Sequence, residues 1–86
     1  MIIEWTAQSL RDIAYWGAVN PTMITKINAL ITSIESTPFT GLGKPEPLKR
    51  NWSGHWSRRI SGEHRLVYRV EGRKLIIVQA RYHYVK

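Results

Sequence analysis

The stretch that decides the fold is HRLVYRVEGRKLIIVQA, residues 64–80. Its first half alternates. His64, Leu66, Tyr68 and Val70 point one way, and Arg65, Val67 and Arg69 the other, the period of a half-buried strand. Its second half is an apolar run that meets no turn signal before the end of the chain, so a strand is predicted over 74–84. In that strand Ile76, Val78, Ala80 and Tyr82 share one face, and Leu75, Ile77, Gln79, Arg81 and His83 share the other. Glu71-Gly72-Arg73 joins the two as a hairpin. An odd-numbered turn sets Leu66, Tyr68 and Val70 beside Ile76, Val78 and Ala80; an even one sets them beside Gln79 and Arg81. The hydrophobic effect favours the odd turn, because a one-residue slip would carry arginine into the core. Arg65, Arg69, Arg81 and His83 are therefore expected on one open face. A turn centred on Gly62 adds Arg59.

Outward from this hairpin the other elements follow. A preceding strand is predicted over 52–60. At the start, Ile2–Trp5 reads as a strand. Thr6 can cap a helix over 7–18 whose buried stripe is Leu10, Ile13, Ala14 and Gly17. Asn20-Pro21 opens a second helix, with the stripe Ile24, Ile27, Leu30, Ile31 and Ile34, ended by Thr37-Pro38. The two form a helical hairpin. Residues 38–50, PFTGLGKPEPLKR, are a Gly/Pro-rich loop. The order is β-α-α-β-β-β, an α+β fold in which the helical hairpin covers one face of an antiparallel sheet. A chain of 86 residues is one domain, 1–86.

Composition narrows the function. There is no cysteine, which removes disulfides and thiolate chemistry. No apolar run approaches the ~20 residues of a membrane span, and the N-terminus lacks the features of a signal peptide. These features point to a soluble, cytoplasmic protein. The net charge of +7 is uneven. Residues 1–43 carry two basic against three acidic side chains, net −1. Residues 44–86 carry eleven against three, net +8. A basic half predicts a polyanionic partner. The six acidic residues are scattered without a close pair for magnesium, and His55, His64 and His83 are not in a zinc spacing, so neither metal nor other cofactor is expected.

Glu46, in Lys44-Pro45-Glu46-Pro47, is a carboxylate on a loop stiffened by two prolines. It is placed either to act as a general base or to pair with Lys44, Lys49 or an arginine. His83 can protonate a leaving oxygen near neutral pH. Arginine suits the developing charge of a phosphate. These are sufficient parts for metal-free RNA cleavage by the RNA's own 2′-hydroxyl, slow for the protein alone and faster when a partner positions the RNA. Among the aromatics, Trp5, Tyr15, Trp16 and Phe39 suit the core or its rim. Trp52, Trp56, Tyr82 and Tyr84 lie in the basic half, where bases could stack, with core packing favoured for Trp56 and Tyr82.

GKPEPLK, SGHWSRRISGEHRLVYRV and the terminal RYHY, together with TPFTGLGKPEP after the helices, resemble the YoeB branch of the RelE-type bacterial toxins over essentially the whole chain. The resemblance implies a RelE-like fold and a ribosome-dependent, metal-independent mRNA endoribonuclease of a type II toxin–antitoxin system, cutting in the A site. By motif it implies Glu46 as general base, Arg65 as transition-state stabiliser, His83 as general acid, and Tyr84 holding base or substrate. Arg59 is an implied phosphate contact, and Lys49 and Arg50 further RNA contacts; Arg69 and Arg81 join them by position on the open face. Implied partners are the 70S ribosome with mRNA, a YefM-like antitoxin with an acidic segment, and a second copy of the chain in a homodimer. The branch typically stops at the tyrosine after the histidine, whereas here Val85 and Lys86 follow. The alternatives are a gyrase-targeting toxin of similar fold, which should lack the Glu/Arg/His set, and a non-catalytic RNA- or ribosome-binding module.

Overall fold

The computed structural model describes residues 1–82. Its elements are β1 (Ile2–Trp5), α1 (Ala7–Val19), α2 (Thr22–Ser36), β2 (Glu46–Pro47), a 3₁₀ turn at Arg50–Trp52, β3 (Trp56–Ser61), β4 (His64–Glu71) and β5 (Lys74–Gln79). The sheet order is β1-β5-β4-β3-β2. The three long C-terminal strands are antiparallel, as the hairpin signals require. β1 adds beside β5 in parallel, which makes the sheet mixed. Among the described residues no helix is long and apolar enough to cross a membrane.

The β4–β5 turn is even, not odd. Glu71 pairs with Lys74, Val70 with Leu75 and Tyr68 with Ile77. Gly72 takes the first of two central positions at φ 57°, where a two-residue hairpin favours glycine. Leu75 and Ile77, rather than Ile76 and Val78, therefore join Leu66 and Tyr68 in the core. Gln79 and Arg81 still stay out of the core cluster, because a bulge does what the turn does not. The register shifts between Val67 and Tyr68, Gln79 comes opposite Val67, and Ala80 returns to the core. The β3–β4 hairpin repeats the device. Ser61 pairs with His64 across Gly62-Glu63, and a shift between Arg59 and Ser61 brings Arg59 opposite Arg65.

α2 buries Ile27, Leu30, Ile31 and Ile34 as its stripe predicts, with Met23 added and Ile24 half-buried. α1 is turned from its predicted face. Leu10 is 55% exposed, and Ala14 and Gly17 are exposed too; Ser9, Asp12 and Trp16 are buried, with Ile13 half-buried beside them. The reason is hydrogen bonding. Asp12 Oδ2 accepts from Ala80 N at 2.9 Å and Oδ1 from Gln8 Nε2 at 2.8 Å. Trp16 Nε1 donates to Ala80 O at 2.8 Å. Ser9 donates its hydroxyl to Thr6 O, and Thr6 caps the helix by accepting from Ser9 N. A satisfied polar stripe can be buried, and counting apolar residues overlooks it.

Arg58 belongs to the core. It is 0% exposed and donates to Tyr68 Oη, Ser33 Oγ and the carbonyls of Leu42, Thr37 and Thr40, at 2.7–3.1 Å. Its charge sits at the C-terminal end of α2, where a cation is favoured. Tyr68 donates onward to Pro38 O at 2.7 Å. Burial pushes the Tyr68 phenol pKa up, against the opposing pull of Arg58. The loop after α2 is thus tied to the sheet from below.

Candidate active site

The carboxylate comes from the sheet edge. Arg59 N donates to Gly43 O at 2.7 Å and Leu48 N to His55 O at 2.9 Å, so residues 43–48 run along β3 on either side of β2. Leu48 turns its N–H inward. By alternation Pro45 and Pro47 face their backbone outward, where the missing N–H groups leave no donors for a further strand. The two prolines therefore stiffen the edge without weakening the ladder, and Glu46 lies between them opposite Ser57. Gly43 is required at the entry. Its φ is 85°, and a Cβ there would meet Leu30 Cδ2 at 2.7 Å and Arg59 O at 3.0 Å.

One row of residues crosses the sheet on the face away from the helices: Glu46, Ser57, Val67 and Gln79. Arg65 stands on the same face of β4. Its Nη1 lies 3.4 Å from Glu46 Oε1 and donates to Ser57 Oγ at 3.4 Å. The Arg65 side chain is 17% exposed and that of Glu46 50%. A half-sunk cation thus faces an accessible carboxylate across one serine. Arg59 pairs directly opposite Arg65 and is exposed. Two like charges at opposed strand positions destabilise a sheet, and an anion bound between them would relieve this. The Ser57-Arg58-Arg59 run therefore splits: Arg58 is a structural cation under the sheet, Arg59 a surface cation above it.

The other predicted arginines are less free. Arg69 lies on this face but holds Glu71 through Nε at 2.8 Å, and the bonded guanidinium keeps the Glu71 carboxyl below its ordinary range. Arg81 does not join Arg65. Its guanidinium carbon lies 3.4 Å from the Tyr15 ring centre of α1 and 4.3 Å from that of Tyr82. The physical reason is that the strand ends at Gln79, where the bonds from Asp12 and Trp16 to Ala80 turn the chain toward α1. The predicted strand is corrected accordingly at residues 80–82, which are not strand. Lys49 and Arg50 are exposed at the 3₁₀ turn, Arg50 at φ 57°; that turn runs to Trp52, so the strand predicted over 52–60 begins only at Trp56. Trp56 packs on Phe39 and the core edge, whereas Tyr82 is 51% exposed rather than core. His83 and Tyr84 lie outside the described residues. Tyr82 O accepts from Arg65 N at 3.0 Å, so the chain before His83 is tied to the Arg65 backbone. Among the described residues no three His, Asp or Glu side chains gather as a metal site.

Ser57, Asp12 and His64 were not singled out by sequence reasoning. Ser57 was legible from parity, two positions before Arg59. Asp12 and His64 act through backbone amides in a segment no local pattern marks.

A model of the "YoeB-like toxin of bacterial type II toxin-antitoxin system" matches residues 5–84. The chain is 51% identical over 84 residues to Toxin YoeB of Escherichia coli (strain K12), covering 98% of this chain and 100% of that one. A solved YoeB/ParE toxin from Agrobacterium tumefaciens superposes with a TM-score of 0.94 at 50% identity, over 98% of this chain and 100% of that one. The YoeB of Staphylococcus aureus superposes as a dimer with a TM-score of 0.91 and in a heterotetrameric YoeB–YefM complex with 0.90. Both are 41% identical, with 98% of each chain covered.

Proposed function

Since the chain belongs to the YoeB-like toxins of bacterial type II toxin–antitoxin systems, we propose that it is a ribosome-dependent mRNA endoribonuclease that cuts in the A site and so stops translation. The observation that carries this reading is the Glu46–Arg65 pair across Ser57, 3.4 Å apart on the open face.

Glu46 takes the proton of the 2′-hydroxyl, whose oxygen attacks the adjacent phosphorus. Arg65, with Arg59 beside it, holds the phosphoryl oxygens as negative charge builds. The bond from phosphorus to the 5′-oxygen breaks, and His83 gives that oxygen its proton. The products are a 2′,3′-cyclic phosphate and a 5′-hydroxyl, and no water is consumed. Tyr84 holds the base or substrate, and Lys49 and Arg50 contact flanking RNA. Arg69 and Arg81 contribute less to phosphate binding, because Glu71 and Tyr15 occupy their guanidinium groups. The 70S ribosome supplies the positioning, in the cytoplasm.

The S. aureus relative is known in complex with YefM and as a dimer. By analogy this chain has a YefM-like antitoxin, whose acidic segment covers the arginine face and displaces the terminal histidine, and it can pair with a second copy. The test maps mRNA 5′ ends on programmed ribosomes for wild type, Glu46→Ala and His83→Ala. The expected result is one A-site cut lost in both variants. Ribosome binding without any cut would leave a binding module, and gyrase would be tried next.

A further inference from the structure

Tyr82 is the residue before the proposed acid, and β4 holds its backbone by both groups. Its carbonyl accepts from Arg65 N at 3.0 Å. Its N–H donates not to a backbone carbonyl but to a side chain, Nδ1 of His64, at 2.9 Å. The exception goes with the conformation. Tyr82 has φ 62°, left-handed for a bulky residue, so the chain has left the regular ladder and its amide needs another partner. A backbone N–H only donates. Nδ1 must therefore present its lone pair, with the proton of the neutral ring at Nε2.

The imidazole is itself fixed. Its ring stands edge-on to Trp16, 4.8 Å between centroids at 85°, and Trp16 is buried and bonded to Ala80 O. The Tyr82 ring lies 5.8 Å from that of His64 and 4.3 Å from the Arg81 guanidinium carbon. His64 faces the helices, on the opposite side of β4 from Arg65, so it does not reach the RNA directly.

We infer that His64 is a positioning residue for the cleavage step. By accepting the Tyr82 amide at Nδ1, it stabilises the left-handed turn that sets where the chain departs for the acid. The inference rests on the nuclease reading above. It explains why an imidazole, rather than another apolar side chain, occupies a core-facing position of β4: the fold needs an acceptor there, at one atom.

The test uses that atomic specificity. His64→Asn places an amide oxygen near the Nδ1 position, His64→Gln places its amide near Nε2, and His64→Phe keeps a ring against Trp16 without any acceptor. Single-turnover cutting on programmed ribosomes should fall about tenfold or more in His64→Phe and His64→Gln, and stay within about threefold of wild type in His64→Asn, since small misplacements of a catalytic group are costly. The ribosome concentration for half-maximal rate should not move. Exchange of the Tyr82 amide should be slow in wild type and His64→Asn and fast in the other two. A wild-type rate in His64→Phe, or equal loss in His64→Asn and His64→Gln, would overturn the inference alone. No cut by the wild type would overturn the nuclease reading with it.

Discussion

Replacing Arg58 with methionine should cost far more stability than a substitution at Arg59, its neighbour in sequence. The guanidinium makes five hydrogen bonds with no carboxylate among its partners. Bonds to a charged group contribute about 1.5–3 kcal/mol each, and five such values would approach the whole stability of a domain. Two effects reduce the sum. The desolvation penalty of the buried cation, several kcal/mol, disappears with the charge. The Ser33 and Tyr68 hydroxyls can turn to other partners, and Thr37, Thr40 and Leu42 belong to exposed residues whose carbonyls water can reach. A net loss of about 3 kcal/mol remains, at the high end for one substitution. For a domain of this size that lowers Tm by roughly 12–24 °C. Arg58→Lys should recover only part of it, since an ammonium lacks the planar fork that reaches carbonyls on two sides. Urea unfolding gives the free energy, and amide exchange shows where it is lost; residues 37–43 should lose protection first, because that loop hangs on the guanidinium. A loss below about 1 kcal/mol, with loop amides still protected, would mean that Arg58 does not hold the loop.

Gly43→Ala should lower the urea midpoint by an amount equivalent to about 2 kcal/mol, because its Cβ meets a backbone carbonyl and its φ is left-handed; an unchanged midpoint would contradict the close approach. Asp12→Ala removes the acceptor that ties α1 to Ala80 N, together with that of Gln8, and should cost about 2–3 kcal/mol, with fast exchange at Ala80 N as the local sign. Glu71 should titrate below an ordinary glutamate because Arg69 bonds its ionised form. The stabilisation is full above the unfolded pKa and lost as pH falls through the lowered folded value. Side-chain NMR should show Glu71 returning to the ordinary range in Arg69→Gln, and no return would assign the shift elsewhere.

How far the sequence could be read depended on whether each feature was local. The helix boundaries, the α2 stripe and the three long strands follow from spacing and turn residues, which act within a few positions. So does the open face for Arg65, by alternation within β4, whereas Arg59 reaches it through a two-residue turn and a register shift rather than the predicted turn centred on Gly62. The internal register of β5 was not legible, because an even turn and a bulge compensate each other and Leu75-Ile76-Ile77-Val78 is apolar on both faces. α1 departs from its apolar stripe because Asp12 becomes buriable only once Ala80, far along the chain, supplies a partner, while Ser9 is satisfied by Thr6 through a bond that no apolar pattern marks. Arg58 and Arg59 are adjacent and chemically equal, and only strand parity separates a cation under the sheet from one above it. Of the proposed site, Glu46 and Arg65 are brought together as the motifs imply, while Arg69 and Arg81 are engaged by groups that no motif announces.

The proposed reaction makes the RNA's own 2′-hydroxyl the nucleophile. The most direct measurement compares two mRNAs on programmed ribosomes, identical except for a single 2′-deoxy nucleotide on the 5′ side of the cut. The expected result is a cut with a 2′,3′-cyclic phosphate end on the all-ribose message and none on the deoxy message. Cleavage of the deoxy message at the same site would show that another nucleophile attacks, and would contradict the roles given to Glu46 and His83.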